Sequence, residues 1–209
     1  MAAAPMRFPV PVQTASYIAP GKEVYYPLLY GLPDLAAQER MNQMIADQVN
    51  ALIEEQSGYQ SGEGMTEMTG LYEIKNNQRG VFSVTQSNYA YTPPMAHGMT
   101  ILKSLTFDVQ KGKQVALAEL FRPGSDYVRR LSELIRQQIQ ERDIPVLMEF
   151  TQIDSDQSFY IADKTLVLYF QLYEITPYVY GFPMFPISVY SLQDIVLEDG
   201  VLGRMIPGV

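Results

Sequence analysis

The side chains able to do chemistry in this sequence are few. His97 is the one histidine, and there is no cysteine. A zinc hydrolase needs several nitrogen, sulfur or carboxylate ligands held together, and one imidazole without thiolates does not supply them. A Ser-His-Asp triad would have to be built around His97, and no Gly-x-Ser-x-Gly elbow is present to carry the serine. His97 reads instead as a loop residue whose ring N–H fixes a backbone carbonyl at a strand entry. Glu174 stands beside Tyr173. A glycosidase needs two carboxyl groups at a defined separation, and the sequence nominates no second one. Glu174 reads as an acceptor for loop N–H groups. Asp154 and Asp156 are two apart but lack the later acidic and glycine positions of a calcium loop, so they read as a polar turn. No phosphate-cradling glycine pattern appears. No catalytic residue, metal or cofactor is assigned.

Tyrosine is the abundant aromatic, with 15 copies against no tryptophan. The densest stretch is 173–183, Tyr-Glu-Ile-Thr-Pro-Tyr-Val-Tyr-Gly-Phe-Pro, which follows an apolar run at 165–172 with strand character. Pro177 and Pro183 lack the N–H that a ladder needs, and Gly181 permits positive φ. The pattern predicts a stiff loop at the end of a buried strand, where binding residues concentrate. Tyr178, Tyr180 and Phe182 are the candidates for exposure, since tyrosine offers apolar area with a polar tip. The plainer alternative is that these rings close one end of the core. The candidate ligand-binding set is His97, Tyr173, Glu174, Tyr178, Tyr180 and Phe182.

Those residues need elements to hold them. A chain of 209 residues, 47% hydrophobic and 18% charged, can bury a sizeable core. Its net charge of −8 argues against nucleic acid, which needs a basic stripe, and favours basic or neutral partners. No apolar run reaches transmembrane length. The N-terminus lacks a basic and apolar leader pattern, so the protein is either cytoplasmic or separated here from its leader or anchor. The absence of cysteine fits both settings.

Along the chain, Pro9 and Pro11 restrict 7–18 to an edge or lead-in. A short strand at 24–29 is ended by proline. Asp34 caps a first helix with an apolar stripe of Leu35, Met41, Met44, Ile45, Gln48, Val49, Leu52 and Ile53. The Gly/Ser-rich segment 57–64 is a mobile connection. Hairpin strands at 66–76 and 81–91 turn at 76–80, and a strand at 99–109 pairs back through 114–117. Residues 118–121 make a short turn. Ser125 caps a second helix whose apolar stripe is Tyr127, Val128, Leu131, Leu134, Ile135 and Ile139. Residues 146–150 add one more turn. Strands at 159–162 and 165–172 form a hairpin, and 187–190 is the last strand. Strands, helix and strands, twice over, give an α+β fold: an antiparallel sheet of long strands with two main helices packed on one face.

Three stretches carry a family resemblance. The first is Tyr26-Pro27-Leu28 leading to Asn42 in a helix. The second is Met95-Ala96-His97-Gly98 with Phe107-Asp108, Lys111-Gly112-Lys113 and 117–121. The third is Phe159-Tyr160-Ile161, Leu168-Tyr169-Phe170 and 173–178, closing with Gly181. In this order they resemble the paired extracytoplasmic domains of the lysozyme-sensing anti-sigma-V factor, which also precede the catalytic domain of certain peptidoglycan deacetylases. The likeness runs from about Val10 to Ile195. Pro93-Pro94-Met95 stands where that family has glycines. The resemblance implies an N-terminal half at 5–98 and a C-terminal half at 99–197, together one compact unit. It implies a non-catalytic extracytoplasmic binding or sensing module of the bacterial envelope, with a lysozyme-like protein or a wall glycan as ligand. Sigma inhibition and deacetylation do not carry over, because no segment for either is in the sequence. The rivals are a hydrolase of wall components using Glu174 or His97, and a structural spacer.

Overall fold

In the computed structural model, which describes residues 9–59 and 63–206, the longest helix begins where Asp34 can cap it. The Ala37 N–H donates to Asp34 Oδ1 at 3.0 Å, satisfying one of the orphan donors of the first turn. This helix, α1, spans Leu35–Tyr59 and buries Ala37, Met41, Ile45, Val49, Leu52 and Gln56 at helical spacing. Leu35, expected on the stripe, is 64% exposed. Gln56 takes a place on it because its amide donates to the Met99 carbonyl. The expected lead-in residues Arg7 and Phe8, and residues 60–62 of the expected mobile connection, lie outside the described residues.

The chain divides into two compact units, 1–114 and 115–209. In the first, β1 (Val12–Ala19), β2 (Lys22–Leu29), β3 (Glu67–Gln78), β4 (Val81–Tyr91), β5 (Met99–Asp108) and β6 (Lys113–Gln114) form one sheet in sequence order. β1 starts just after Pro11 and is an edge strand, in keeping with the prolines that lead into it. β2 and β3 run parallel, because α1 connects them as a crossover; the other neighbours are antiparallel. β2 runs on through Pro27 to Leu29. Its register with β3 ends at Val24, so the missing proline N–H is not called on there.

The β3–β4 turn is Arg79-Gly80, both with positive φ, the hairpin geometry that matches strand twist. Asn76 and Asn77, read from sequence as turn residues, stay in β3 past an irregularity between Ile74 and Asn76. β5 pairs with β4 from Ala90↔Met99 to Val81↔Asp108, so a boundary at 98/99 passes between two paired strands. The pairing back after β5 is limited to Lys113 and Gln114.

Met41 and Ile45 of α1 pack with Phe82 and Val84 of β4 and Leu105 and Phe107 of β5. Asn42, beside this stripe, accepts from the Leu29 N–H at 2.8 Å and donates to its carbonyl at 2.9 Å, so it pins the end of β2 to the helix. Removing both bonds strands two backbone groups of a residue that is 1% exposed. Asn42→Ala is expected to cost about 2–3 kcal/mol, read as a lowered urea midpoint with unchanged slope.

In the second unit, a 3₁₀ turn at Leu117–Leu120 precedes α2 (Tyr127–Glu141). β7 (Phe159–Ala162), β8 (Thr165–Tyr169) and β9 (Met184–Ser188) make an antiparallel sheet with β8 in the centre. Both units thus combine a helix with a sheet, and the fold class is α+β. The β7–β8 turn falls at Asp163, with φ +49. Residues 146–150, read as a helical turn, are irregular. β8 stops at Tyr169, short of the apolar run's end.

The cap of α2 is Asp126, one residue later than the sequence reading placed it; its side chain accepts from the Arg129 N–H. The Arg129 guanidinium also bonds it at 2.7 Å, holding the Asp126 carboxyl below its ordinary value of 3.8. A lowered folded value means the contribution is present above the unfolded value and is lost as pH falls through the folded one. Asp126→Asn keeps a cap acceptor without the charge. Its denaturation midpoint is expected to lie below the parent's at neutral pH and to converge with it in acid, which parallel acid titrations would read out.

Candidate functional site

His97 and the other candidates fall in different units, and each is described in its own. In the first unit His97 is exposed in the loop between β4 and β5. Its Nδ1 lies 2.8 Å from the Gly98 carbonyl oxygen, immediately before β5, so a proton on Nδ1 would donate there. Gly98 is close-packed: a Cβ there would stand 2.4 Å from the Tyr89 hydroxyl. The loop is further tied by the Gly64 N–H to the Pro93 carbonyl at 3.0 Å and by a Thr66–Thr92 hydroxyl pair at 2.7 Å.

In the second unit the chain leaves β8 at Phe170, whose N–H donates to the Pro183 carbonyl at 3.2 Å and so closes the loop between them. A tight turn follows. The Glu174 N–H donates to the Gln171 carbonyl at 3.2 Å, and Glu174 Oε2 accepts from the Gln171 N–H at 2.6 Å. Glu174 is therefore an acceptor for a loop N–H, as its position suggested. Between them Tyr173 is held at φ +65, left-handed backbone that a bulky side chain rarely adopts. Tyr173 is 48% exposed, and its ring lies 5.3 Å from that of Tyr178.

Tyr178 and Tyr180 form a short 3₁₀ turn closed by Gly181 at φ +79. Tyr178, Tyr180 and Phe182 are half-buried. The most exposed residue of the loop is Val179, at 93%. The rings expected outside are thus only half-exposed, and Tyr173 is the exposed aromatic of the loop.

Tyr173 and Glu174 open onto a cleft of about 240 Å³ whose opposite wall comes from residues 147–157, with Met148, Phe150 and Asp154 prominent in it. Three anchors hold that wall. The Leu147 N–H donates to the Ile175 carbonyl at 2.9 Å. The buried Ser132 of α2 accepts from the Ile153 N–H at 3.0 Å while donating to the Val128 carbonyl at 2.6 Å. Gln157, 7% exposed, donates to the Tyr169 carbonyl at 2.8 Å, tying the segment to the end of β8.

Under the cleft the aromatic rings are continuous with the core. Phe150 meets Phe170 edge-on at 5.9 Å, and Phe170 meets the fully buried Phe185 edge-on at 5.6 Å. Both walls therefore carry aromatic rings and carboxylates, the latter from Glu149, Asp154 and Glu174, with no lysine, arginine or histidine among the lining residues. Among the described residues no group of three His, Asp or Glu is placed to hold a metal ion. The acids are spread around the cleft instead of converging. Of the six sequence candidates, Tyr173 and Glu174 line it. Tyr178 contacts the Tyr173 ring but does not line the cleft, and Tyr180 and Phe182 are not in the lining either. Met148, Phe150, Asp154 and Gln157 were not nominated as ligand-binding residues.

This cleft lies within the part of the chain that comparison with known families recognises. Residues 118–190 match the family model DUF3298, a protein of unknown function. A peptidoglycan-N-acetylmuramic acid deacetylase of Bacillus subtilis, PdaC, is 24% identical over 135 residues. That match covers 61% of this chain and 29% of the deacetylase, so the chain spans less than a third of that relative's length.

Two crystal structures share the fold. A DUF3298 family protein from Pseudomonas aeruginosa matches with a TM-score of 0.66 at 19% identity, over 97% of this chain and 99% of that one. Another, from Bacteroides fragilis, matches with a TM-score of 0.66 at 13% identity, over 94% and 95%. The match to PdaC bears, as a weak similarity, on the deacetylase half of the resemblance drawn from the sequence; the anti-sigma half rests on the sequence motifs alone.

Proposed function

We propose that this chain is a non-catalytic binding module of the bacterial cell envelope, and that the second-unit cleft receives a wall glycan. The observation that carries this is the pairing, in one small concavity, of an exposed ring at Tyr173 with acceptor-rich polar walls. A sugar offers an apolar face to a ring and hydroxyl donors to acceptors, and such a site uses both. The relative's name ties it to peptidoglycan, which supports an envelope location. Among the described residues no helix is long and apolar enough to cross a membrane. The strained Tyr173 is consistent with this reading, since left-handed non-glycine residues cluster at ligand sites.

A second reading is a basic, lysozyme-like protein as ligand. Met148 at 80% exposure and Val179 at 93% favour it, as does the net charge of −8. Protein binding of that kind would weaken steeply with salt. The hydrolase alternative would require Glu174 to leave its Gln171 bond during turnover. Digestion assays on wall fragments with Glu174→Gln and His97→Ala test it: turnover by the parent alone would replace the binding reading.

The test of the leading reading is co-sedimentation of the intact protein with purified peptidoglycan at low and moderate salt, beside basic lysozymes. Saturable pelleting that depends on Tyr173 supports it. Retention only by lysozyme moves the assignment to the second reading.

A further inference from the structure

Resting on the glycan reading of the same cleft, we propose that it selects sugar units bearing a free amine over their N-acetylated counterparts. Three carboxylates, Glu149, Asp154 and Glu174, line a space whose other residues are neutral. One cation reaches its outer wall, Arg136, whose guanidinium is held at 2.5 Å by the Thr151 carbonyl. The balance at the cleft is therefore negative, in a chain that is itself at −8.

The space of about 240 Å³ falls below the roughly 300–1,000 Å³ of drug-sized sites and matches one ring-sized unit of a glycan. Phe150, Phe170 and Tyr173 supply the apolar side for that ring. An ammonium on the same ring is a cation, and the negative balance of the lining attracts it whichever carboxylate it reaches. Acetylation removes the charge and leaves one N–H donor. The carboxylates then face a neutral group and gain nothing over water. The aromatic side would hold either form, so the charge decides between them. Glu174 uses one oxygen on Gln171 N–H, which fixes the carboxylate's place at the rim.

The test is a titration of the full chain at pH 6 with β-1,4-linked glucosamine tetramer and, separately, with N-acetylglucosamine tetramer. The amine tetramer is expected to bind at least tenfold more tightly. The preference is expected to fall below threefold in the double variant Glu149→Gln, Asp154→Asn, which leaves the Glu174 turn intact. Tyr173→Gly, which keeps every charge, is expected to weaken the amine tetramer at least tenfold, and this separates the cleft from attraction to the acidic surface at large.

Equal affinity for the two tetramers overturns the proposal, as does a preference that survives the double variant or binding that ignores Tyr173. So does tighter, Tyr173-dependent binding of oligolysine, which would assign the cleft to a protein. If peptidoglycan sediments the protein through Tyr173 but the tetramers show no preference, the glycan reading stands and this selectivity falls. If peptidoglycan does not sediment it, the glycan reading falls as well.

Discussion

Gly112→Val is expected to cost about 2–5 kcal/mol, a stability loss whose upper end exceeds that of Asn42→Ala. Gly112 closes the turn before β6 with φ +56, and a Cβ on it would stand 2.4 Å from the Ala37 Cβ and 2.8 Å from the Ala37 Cα. Ala37 is 1% exposed in the first turn of α1, so the neighbour is a helix backbone and not the free end of a side chain. The helix would have to lift from the sheet. Overpacking accounts for about 1–3 kcal/mol of the loss, and a β-branched residue in left-handed backbone for about 1–2 more. Gly124→Val is the control. It shares the positive φ, +79, but its Cβ meets no described atom within 4 Å, so only the conformational part, about 1–2 kcal/mol, is expected. Urea unfolding followed by two probes reads both variants and shows whether the two units melt together. Similar losses at the two positions would mean that backbone strain alone matters and that the close approach to Ala37 does not.

Tyr173→Gly is expected to weaken ligand binding at least tenfold while leaving stability within about 1 kcal/mol of the parent. Glycine adopts φ +65 freely, which relieves about 1–2 kcal/mol of strain. Against this stand the lost ring contact with Tyr178, about 0.5–1.5 kcal/mol, and the extra entropy of an unfolded glycine, about 0.5–1. The terms nearly cancel. The exposed ring, by contrast, is the cleft's aromatic wall, and its removal is expected to weaken binding at least tenfold. A residue kept for packing would show the opposite pattern, a clear loss of stability with binding untouched.

Local signals in the sequence were sufficient for most elements. Asp34 with the spacing of Met41, Ile45, Val49 and Leu52 defines α1, because capping and helical period depend on neighbours only a turn away. Gly181 and the prolines around it predicted a loop, and the loop is there. Direction was not legible: that β2 and β3 run parallel follows from the crossover through α1, which a strand's own residues do not record. The end of β8 was missed for a different reason. Phe170 and Leu172 are buried in irregular backbone, and an apolar run reads the same in a buried loop as in a buried strand.

The cleft was half legible. Tyr173 and Glu174 were found because they stand in the aromatic stretch. The facing wall was not, since 143–158 has no period and its anchors are polar residues, Ser132 and Gln157, whose partners are distant in sequence. One signal did exist: an irregular segment of that length inside a compact unit is uncommon unless it has a function. Tyr178, Tyr180 and Phe182 were expected outside because the stretch is aromatic and proline-rich. Composition alone does not show that Tyr178 packs against Tyr173.

The most direct test of the binding account is co-sedimentation of the intact protein with purified peptidoglycan, the parent beside Tyr173→Gly, with urea midpoints measured on the same preparations. The account predicts saturable pelleting of the parent, at least tenfold weaker pelleting of the variant, and midpoints that agree. Equal pelleting of the two proteins, or none by the parent, would contradict it.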